Sequence, residues 1–405
     1  MQSRWPIILI CLTLVIDAMG IGLILPVMPF LLEEIQGASL SDAALWGGLL
    51  SFVYAFMQFL AGPLVGNISD ALGRRPVLIT CLLALGINYV LMALAPTLLL
   101  LLVARIVSGI AGSSMSAASA YLADISPPEK RAANFGLIGA SFGVGFVVGP
   151  LIGGVLGEFG PRAPFWAAGA LAMLNAALAF AFLPESLSRE NRRPFDLARA
   201  NPVRALSDLS RVPRLGGLVA VQFLMGVATW VYPAVWSFYT IFVFDFSAWQ
   251  VGISLTVYGT ALALVQGVLI RPVLARFGDR RTAVAGIVLT ALGMVGLTLV
   301  RDPVILFLII PLLALGDFAD PALSGILSNS VGDDVQGELQ GILASALGIA
   351  TMISPVLYTG IFAAFTHEGA ALILPGAPFL LAATLATLAL LVLLRFLGPV
   401  RAAAE

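Results

Sequence analysis

The sequence predicts an all-α membrane protein of twelve transmembrane helices, built as two six-helix bundles related by pseudo-twofold symmetry. Three observations carry that expectation. Of the 405 residues, 60% are hydrophobic and only 11% are charged, against about 25% charged in an ordinary soluble domain. Mean hydropathy is +1.02, and apolar runs of the roughly 20 residues that cross a bilayer recur along the whole chain. Finally, a constant offset of 205 residues pairs Gly73-Arg74-Arg75 with Gly278-Asp279-Arg280, Gly136 with Gly341, Gly143 with Gly348, and Gly149-Pro150 with Ser354-Pro355. Such a spacing is expected of a parallel repeat of six plus six helices.

The first six spans fall near residues 6–32, 44–68, 76–95, 97–123, 132–157 and 163–183. The second six fall near 215–243, 248–274, 282–300, 303–330, 336–365 and 373–397. Between the two sets runs the one long polar stretch, which divides the chain into an N-terminal bundle (1–184), a linker (185–214) and a C-terminal bundle (215–405). With both termini in the cytoplasm, all but Arg105, Arg162 and Arg301 of the 21 Lys and Arg lie on the cytoplasmic side, as the retention of positive loops requires. Residues 6–32 hold Asp17 and end without a small-residue cleavage site, so they read as a first span and not as a cleaved signal. Cys11 and Cys81 sit in separate apolar runs, without the spacing of a disulfide or metal site. Net charge is −1, and no basic face is offered to nucleic acid.

Charged side chains inside spans cost about 2.5–3.5 kcal/mol at mid-bilayer on insertion scales, so each is a functional candidate. Asp17 lies in the first span, Arg105 in the fourth, Asp317 and Asp320 in the tenth, and the 205 offset pairs Asp17 with Gln222 in the seventh. Helical spacing gives the tenth span a polar stripe of Asp317, Asp320, Ser324 and Ser328. On the seventh, Gln222, Thr229 and Trp236 share an arc on which a planar drug could stack. On the fourth, Gly109, Gly112, Ser116 and Ser119 share the face of Arg105 and are expected to leave open space around it. A carboxyl that gains and loses a proton as its surroundings change can couple transport to an ion gradient, which makes Asp17, Asp317 and Asp320 candidate proton carriers with Arg105 beside them. Gln58 and Asn88 are candidate polar contacts to a hydroxylated ring system or, equally, helix-to-helix hydrogen bonds. A Gly-x-x-x-x-Gly-Lys-[Ser/Thr] loop is absent, as is the Tyr-Asp pair of an intramembrane aspartyl protease, so neither ATP drive nor enzymatic chemistry is expected.

Several motifs resemble those of the major facilitator superfamily. Gly66-Asn67-Ile68-Ser69-Asp70-Ala71-Leu72-Gly73-Arg74-Arg75 is similar to its cytoplasmic gating motif. The resemblance implies that Asp70 pairs with neighbouring helix ends while the Arg engages an acid at the end of the fourth span, here Asp124. Gly145, Gly149, Pro150, Gly153 and Gly154 form Gly-Pro-x-x-Gly-Gly with small residues every fourth position, and resemble the antiporter motif of drug exporters. Leu101 to Gly109, with Arg105, looks like the fourth-span Arg motif associated with proton coupling, and Asp17-Ala-Met-Gly-Ile-Gly-Leu-Ile-Leu-Pro is close to the tetracycline efflux pumps. In that fold spans 1, 4, 7 and 10 line the central cavity.

The resemblance therefore implies a monomeric inner-membrane antiporter of bacterial type, with lipid, a small amphipathic molecule and protons as its partners. It needs no cofactor beyond the proton gradient, and a tetracycline substrate would travel as a metal chelate. Four departures bear on specificity. Ala71 stands where the family often has Arg, Asn88 stands where tetracycline pumps carry a third-span acid, the ninth span holds no acid, and the one His is His367, outside the spans. A transporter of a metabolite, sugar or siderophore on the same fold is the rival expectation.

Overall fold

The computed structural model describes residues 5–37, 39–196, 215–332 and 335–397. Arg199, Arg204, Arg211 and Arg214 of the expected linker lie outside them. Every regular element among the described residues is helical, the outcome forced on a chain that must satisfy its backbone N–H and C=O groups within itself in hydrocarbon. Of these helical runs, 11 are long and apolar enough to cross a membrane. One of them, Ala248–Leu299, is 52 residues long and turns at Gly278, with φ 73° and ψ 166°, so it supplies two spans and completes twelve. Gly73, at the matched position between the second and third spans, has φ 111° and ψ 156°. Both turns use a positive φ that side chains with a Cβ rarely adopt, and thus the repeat legible in sequence is repeated in backbone conformation.

Among the described residues the first, fourth, seventh and tenth spans are interrupted, and three of these carry the ionisable residues Asp17, Arg105, Asp317 and Asp320, while the seventh carries Gln222. The first is divided into Trp5–Ile24 and Met28–Gln36 around Pro26, where the missing N–H of proline ends the hydrogen-bond ladder. The seventh is divided into Gly216–Thr229 and Val231–Phe244 at Trp230, which is 205 residues after Leu25. The fourth is divided into Leu98–Ala111 and Ser114–Ile125 at Gly112-Ser113. In the tenth, Pro303–Leu313 tightens into a 3-10 segment, Ala314–Phe318, before Ala319–Ser328. Non-helical backbone at membrane depth is tolerated where it is buried in protein or lines a cavity.

The chain folds as two compact units, residues 1–202 with 245–259, and residues 203–244 with 260–405. In the first unit, Trp5–Ile24 runs closely along the fifth span, Pro128–Gly157. A Cβ on Gly149 would lie 2.7 Å from the Met19 carbonyl oxygen and 2.9 Å from Gly22 Cα, and Gly145 and Gly153 meet the Val15 and Leu23 carbonyls in the same way. The other side of the fifth span receives the start of the eighth, where a Cβ on Gly154 would lie 2.8 Å from the Ala248 carbonyl oxygen. The small-residue repeat thus lets one helix touch two others at backbone distance. In the second unit the ninth span does the same at the break in the tenth, for Gly286 lies against Ala319, and Gly316 against Thr290.

Candidate substrate and proton site

In the first unit the breaks place an acid of one span beside the hydroxyl of another. Asp17, half-buried in the first span, accepts a hydrogen bond from Ser114 Oγ at 3.1 Å, at the start of the second half of the fourth span. Tyr54 and Tyr89 are within electrostatic reach of both Asp17 and Arg105. The Arg105 guanidinium lies over the Tyr54 ring, 5.9 Å from its centroid, a cation–π distance. Gln58, one turn after Tyr54, donates from Nε2 to the Gly112 carbonyl at 3.2 Å and to the Tyr54 hydroxyl at 3.4 Å. That carbonyl is one of those freed at the break, which explains an amide at this position in the second span.

The second unit repeats the arrangement with the charges exchanged. Gln222 donates to Asp320 Oδ1 at 2.5 Å, so the amide is now on the seventh span and the acid on the tenth. Asp317 lies in the 3-10 segment within electrostatic reach of Tyr232. Asp320 and Ser324 are exposed on the described surface, whereas Ser328 donates to Gln336 Oε1 at 3.2 Å. The tenth-span stripe is therefore interrupted, because the 3-10 turn rotates Asp317 relative to the helix that follows.

Three candidate contacts to substrate have partners within the protein, and Asn88 makes the helix-to-helix bond that was its other expected role. Asn88 is fully buried and donates to Ser108 Oγ at 2.6 Å, a bond between the third and fourth spans. Trp236 is buried against Tyr232 and Tyr239, with ring centroids at 5.9 and 6.4 Å. It lies beyond the break at Trp230, and Thr229 bonds back to Met225 and Gly226 of its own helix; the arc of Gln222, Thr229 and Trp236 assumed an unbroken helix. Nor do Gly109 and Gly112 leave the expected space around Arg105. A Cβ on Gly109 would lie 2.6 Å from Met57 Cβ, and one on Gly112 would lie 2.9 Å from the Tyr54 hydroxyl, so these glycines admit the second span.

A separate charge cluster gathers around the turn at Gly73. Arg74 pairs with Asp70 at 2.5 Å and with Asp124 at 3.2 Å, and donates to Ser69 Oγ at 3.1 Å. Arg75 donates to the Phe180 carbonyl at 2.6 Å and lies 5.6 Å from the Phe180 ring centroid. Gly66 faces Ser116 across the second and fourth spans. The residue that organises the cluster is Glu185, which sequence reasoning treated only as the start of a polar stretch. Its Oε1 accepts from the backbone N–H of Arg74 (2.9 Å), Arg75 (3.5 Å), Ser186 (3.0 Å) and Leu187 (3.1 Å). A carboxylate at these orphan N–H groups caps the third span and meets its positive dipole end. The one signal for it was the end of an apolar run at Pro184-Glu185. The offset places Asp279 and Asn329 at the positions of Arg74 and Asp124, and Asn329 Nδ2 donates to Asp279 Oδ2 at 3.5 Å; the geometry persists in the second unit without the ion pair.

A helical membrane chain that interrupts its spans where polar and charged side chains lie has the design of a transporter. The comparisons with known proteins make the class specific. The chain belongs to the Major Facilitator Superfamily, whose family model matches residues 10–271 and 244–405. It is 41% identical over 382 residues to the class C tetracycline resistance protein of Escherichia coli, covering 94% of this chain and 96% of that one. To the class B protein of Escherichia coli it is 30% identical, covering 86% of each. Among solved structures, the human organic anion transporter MFSD10 aligns with a TM-score of 0.70 at 25% identity, covering 97% of this chain and 100% of that one. The nucleoside transporter NupG aligns at 0.77 with 12% identity, covering 97% and 99%, a likeness of fold alone.

Proposed function

We propose that this protein is a proton-coupled antiporter that exports amphipathic, tetracycline-like compounds across the bacterial inner membrane, with both termini cytoplasmic. The observation that carries the reading is the 41% identity, sustained over 94% of the chain, to a protein named for tetracycline resistance. The geometry is consistent with it. Asp17, held by one hydroxyl and by no cation within ion-pair distance among the described residues, is free to exchange a proton. Its counterpart pair, Gln222 with Asp320, gives the second unit an acid of its own. In this reading a proton enters from outside, neutralises the acid, and permits the change of state that releases substrate outward. Asp70, Arg74, Arg75 and Asp124 then hold the cytoplasmic end closed in one state and part in the other. Tetracycline would arrive as a metal chelate, the ion travelling as part of the substrate. A sugar or siderophore site is less well supported, because Gln58 and Asn88, the amides best placed to serve one, are engaged with Gly112 and Ser108.

The test is proton flux across proteoliposomes on addition of tetracycline, comparing the wild type with Asp17→Asn. Flux in the wild type that is lost in a folded Asp17→Asn variant supports the reading. Silence in both, with other amphipathic compounds active, restricts it to drug export without tetracycline. Undiminished flux in the variant removes Asp17 from the mechanism.

A further inference from the structure

We infer that Arg105 forms, in the first unit, a subsite for a delocalised anionic oxygen group, a carboxylate or enolate, carried on a planar ring. This rests on the reading that the half-buried face around Asp17 and Tyr54 is the transport site, and it adds the charge of the ligand that face accepts.

Among the described residues no Asp or Glu oxygen lies within ion-pair distance of Arg105. Its Nε is buried without an acceptor, and no acceptor among the described residues engages the rest of the guanidinium. Six acids of this unit have partners elsewhere. Asp17 is turned to Ser114, Asp70, Asp124 and Glu185 are gathered at the Gly73 turn, Glu34 pairs with Arg162, and Glu158 caps the eighth span at Trp249. Asn88 of the third span is directed to Ser108.

An uncompensated cation inside a span is costly to keep, and the Tyr54 ring offsets only part of that cost. Gln58 fixes Tyr54 through its hydroxyl, and Tyr54 fixes the guanidinium, so the donor fork is held in place with its acceptors unfilled. A fork of this kind matches two oxygens of one delocalised anion. Arg105 itself is half-buried, and of its nitrogens only Nε is among the fully buried polar atoms without a partner.

The experiment uses 1-naphthoate and 1-naphthamide, rings of one shape that differ in charge, titrated calorimetrically into the purified full-length protein in lipid nanodiscs. The wild type is expected to bind naphthoate at least about tenfold more tightly than naphthamide, the loss typical of a charge-assisted hydrogen bond. That preference should vanish in Arg105→Gln and persist in part in Arg105→Lys, which keeps the charge and loses the fork. Equal affinities in the wild type overturn the proposal, and this arm needs no variant to fold. A preference that survives in Arg105→Gln overturns it as well. If naphthoate is preferred through Arg105 while tetracycline drives no proton flux, the subsite stands and the tetracycline reading falls.

Discussion

Replacing Glu185 by Ala is expected to destabilise the first unit by roughly 2 kcal/mol. The change removes a carboxylate oxygen that caps the third span at Arg74 and Arg75, worth about 1 kcal/mol for a lost cap. It removes a negative charge from a helix N-terminus, worth about 0.3–1 kcal/mol. It also removes the partner of Arg192, at 4.0 Å and with both side chains partly exposed, worth below about 0.5 kcal/mol. For a unit of some 150–250 residues each kcal/mol moves the midpoint by about 2–4 °C, so Tm should fall by about 4–8 °C. Cys81 is buried and Cys11 half-buried, so a thiol-reactive dye reports the transition in the purified protein. Glu185→Gln keeps an acceptor and loses the charge, and should cost about half as much. A fall under about 1 °C for Glu185→Ala would refute the capping argument. Equal falls for Ala and Gln would show that charge alone matters, and the loss should then shrink in high salt.

Two further substitutions separate packing from binding. Gly149→Leu should leave little folded monomer on size exclusion, because its Cβ alone would lie 2.7 Å from the Met19 carbonyl, a backbone contact that cannot yield as a side chain would, and the cost should exceed the about 1–3 kcal/mol usual for overpacking; normal yield with full transport would show the close approach to be dispensable. Asn88→Leu should lower stability by about 1–2 kcal/mol through the lost bond to Ser108, while tetracycline affinity by fluorescence titration stays within about twofold; a tenfold weakening would return Asn88 to the substrate site.

Much of the architecture was legible because lipid leaves a chain few choices. Apolar runs of span length must be helices, the 205 offset found the matched turns at Gly73 and Gly278, and the cost of a charge in hydrocarbon singled out Asp17, Arg105, Asp317 and Asp320 without any knowledge of their neighbours. The Arg74 contact to Asp124 was also expected, from the resemblance of the loop and not from spacing.

Partners were harder to foresee. Periodicity assumes an unbroken helix, so it placed Trp236 on the face of Gln222, while the break at Trp230 and the rings of Tyr232 and Tyr239 bury it. It also read Gly109 and Gly112 as empty space, when they admit Met57 and Tyr54. Glu185 stayed hidden because a cap is made by a residue 111 positions from the N–H of Arg74. Composition and spacing, acting residue by residue, determined the spans, the repeat and the charges the bilayer must tolerate. Only the packed structure decided which groups satisfy one another, since a hydrogen bond depends on where two chain-distant helices break and meet. It is that geometry which, among the described residues, leaves Asp17 with a single hydroxyl and Arg105 without an acceptor.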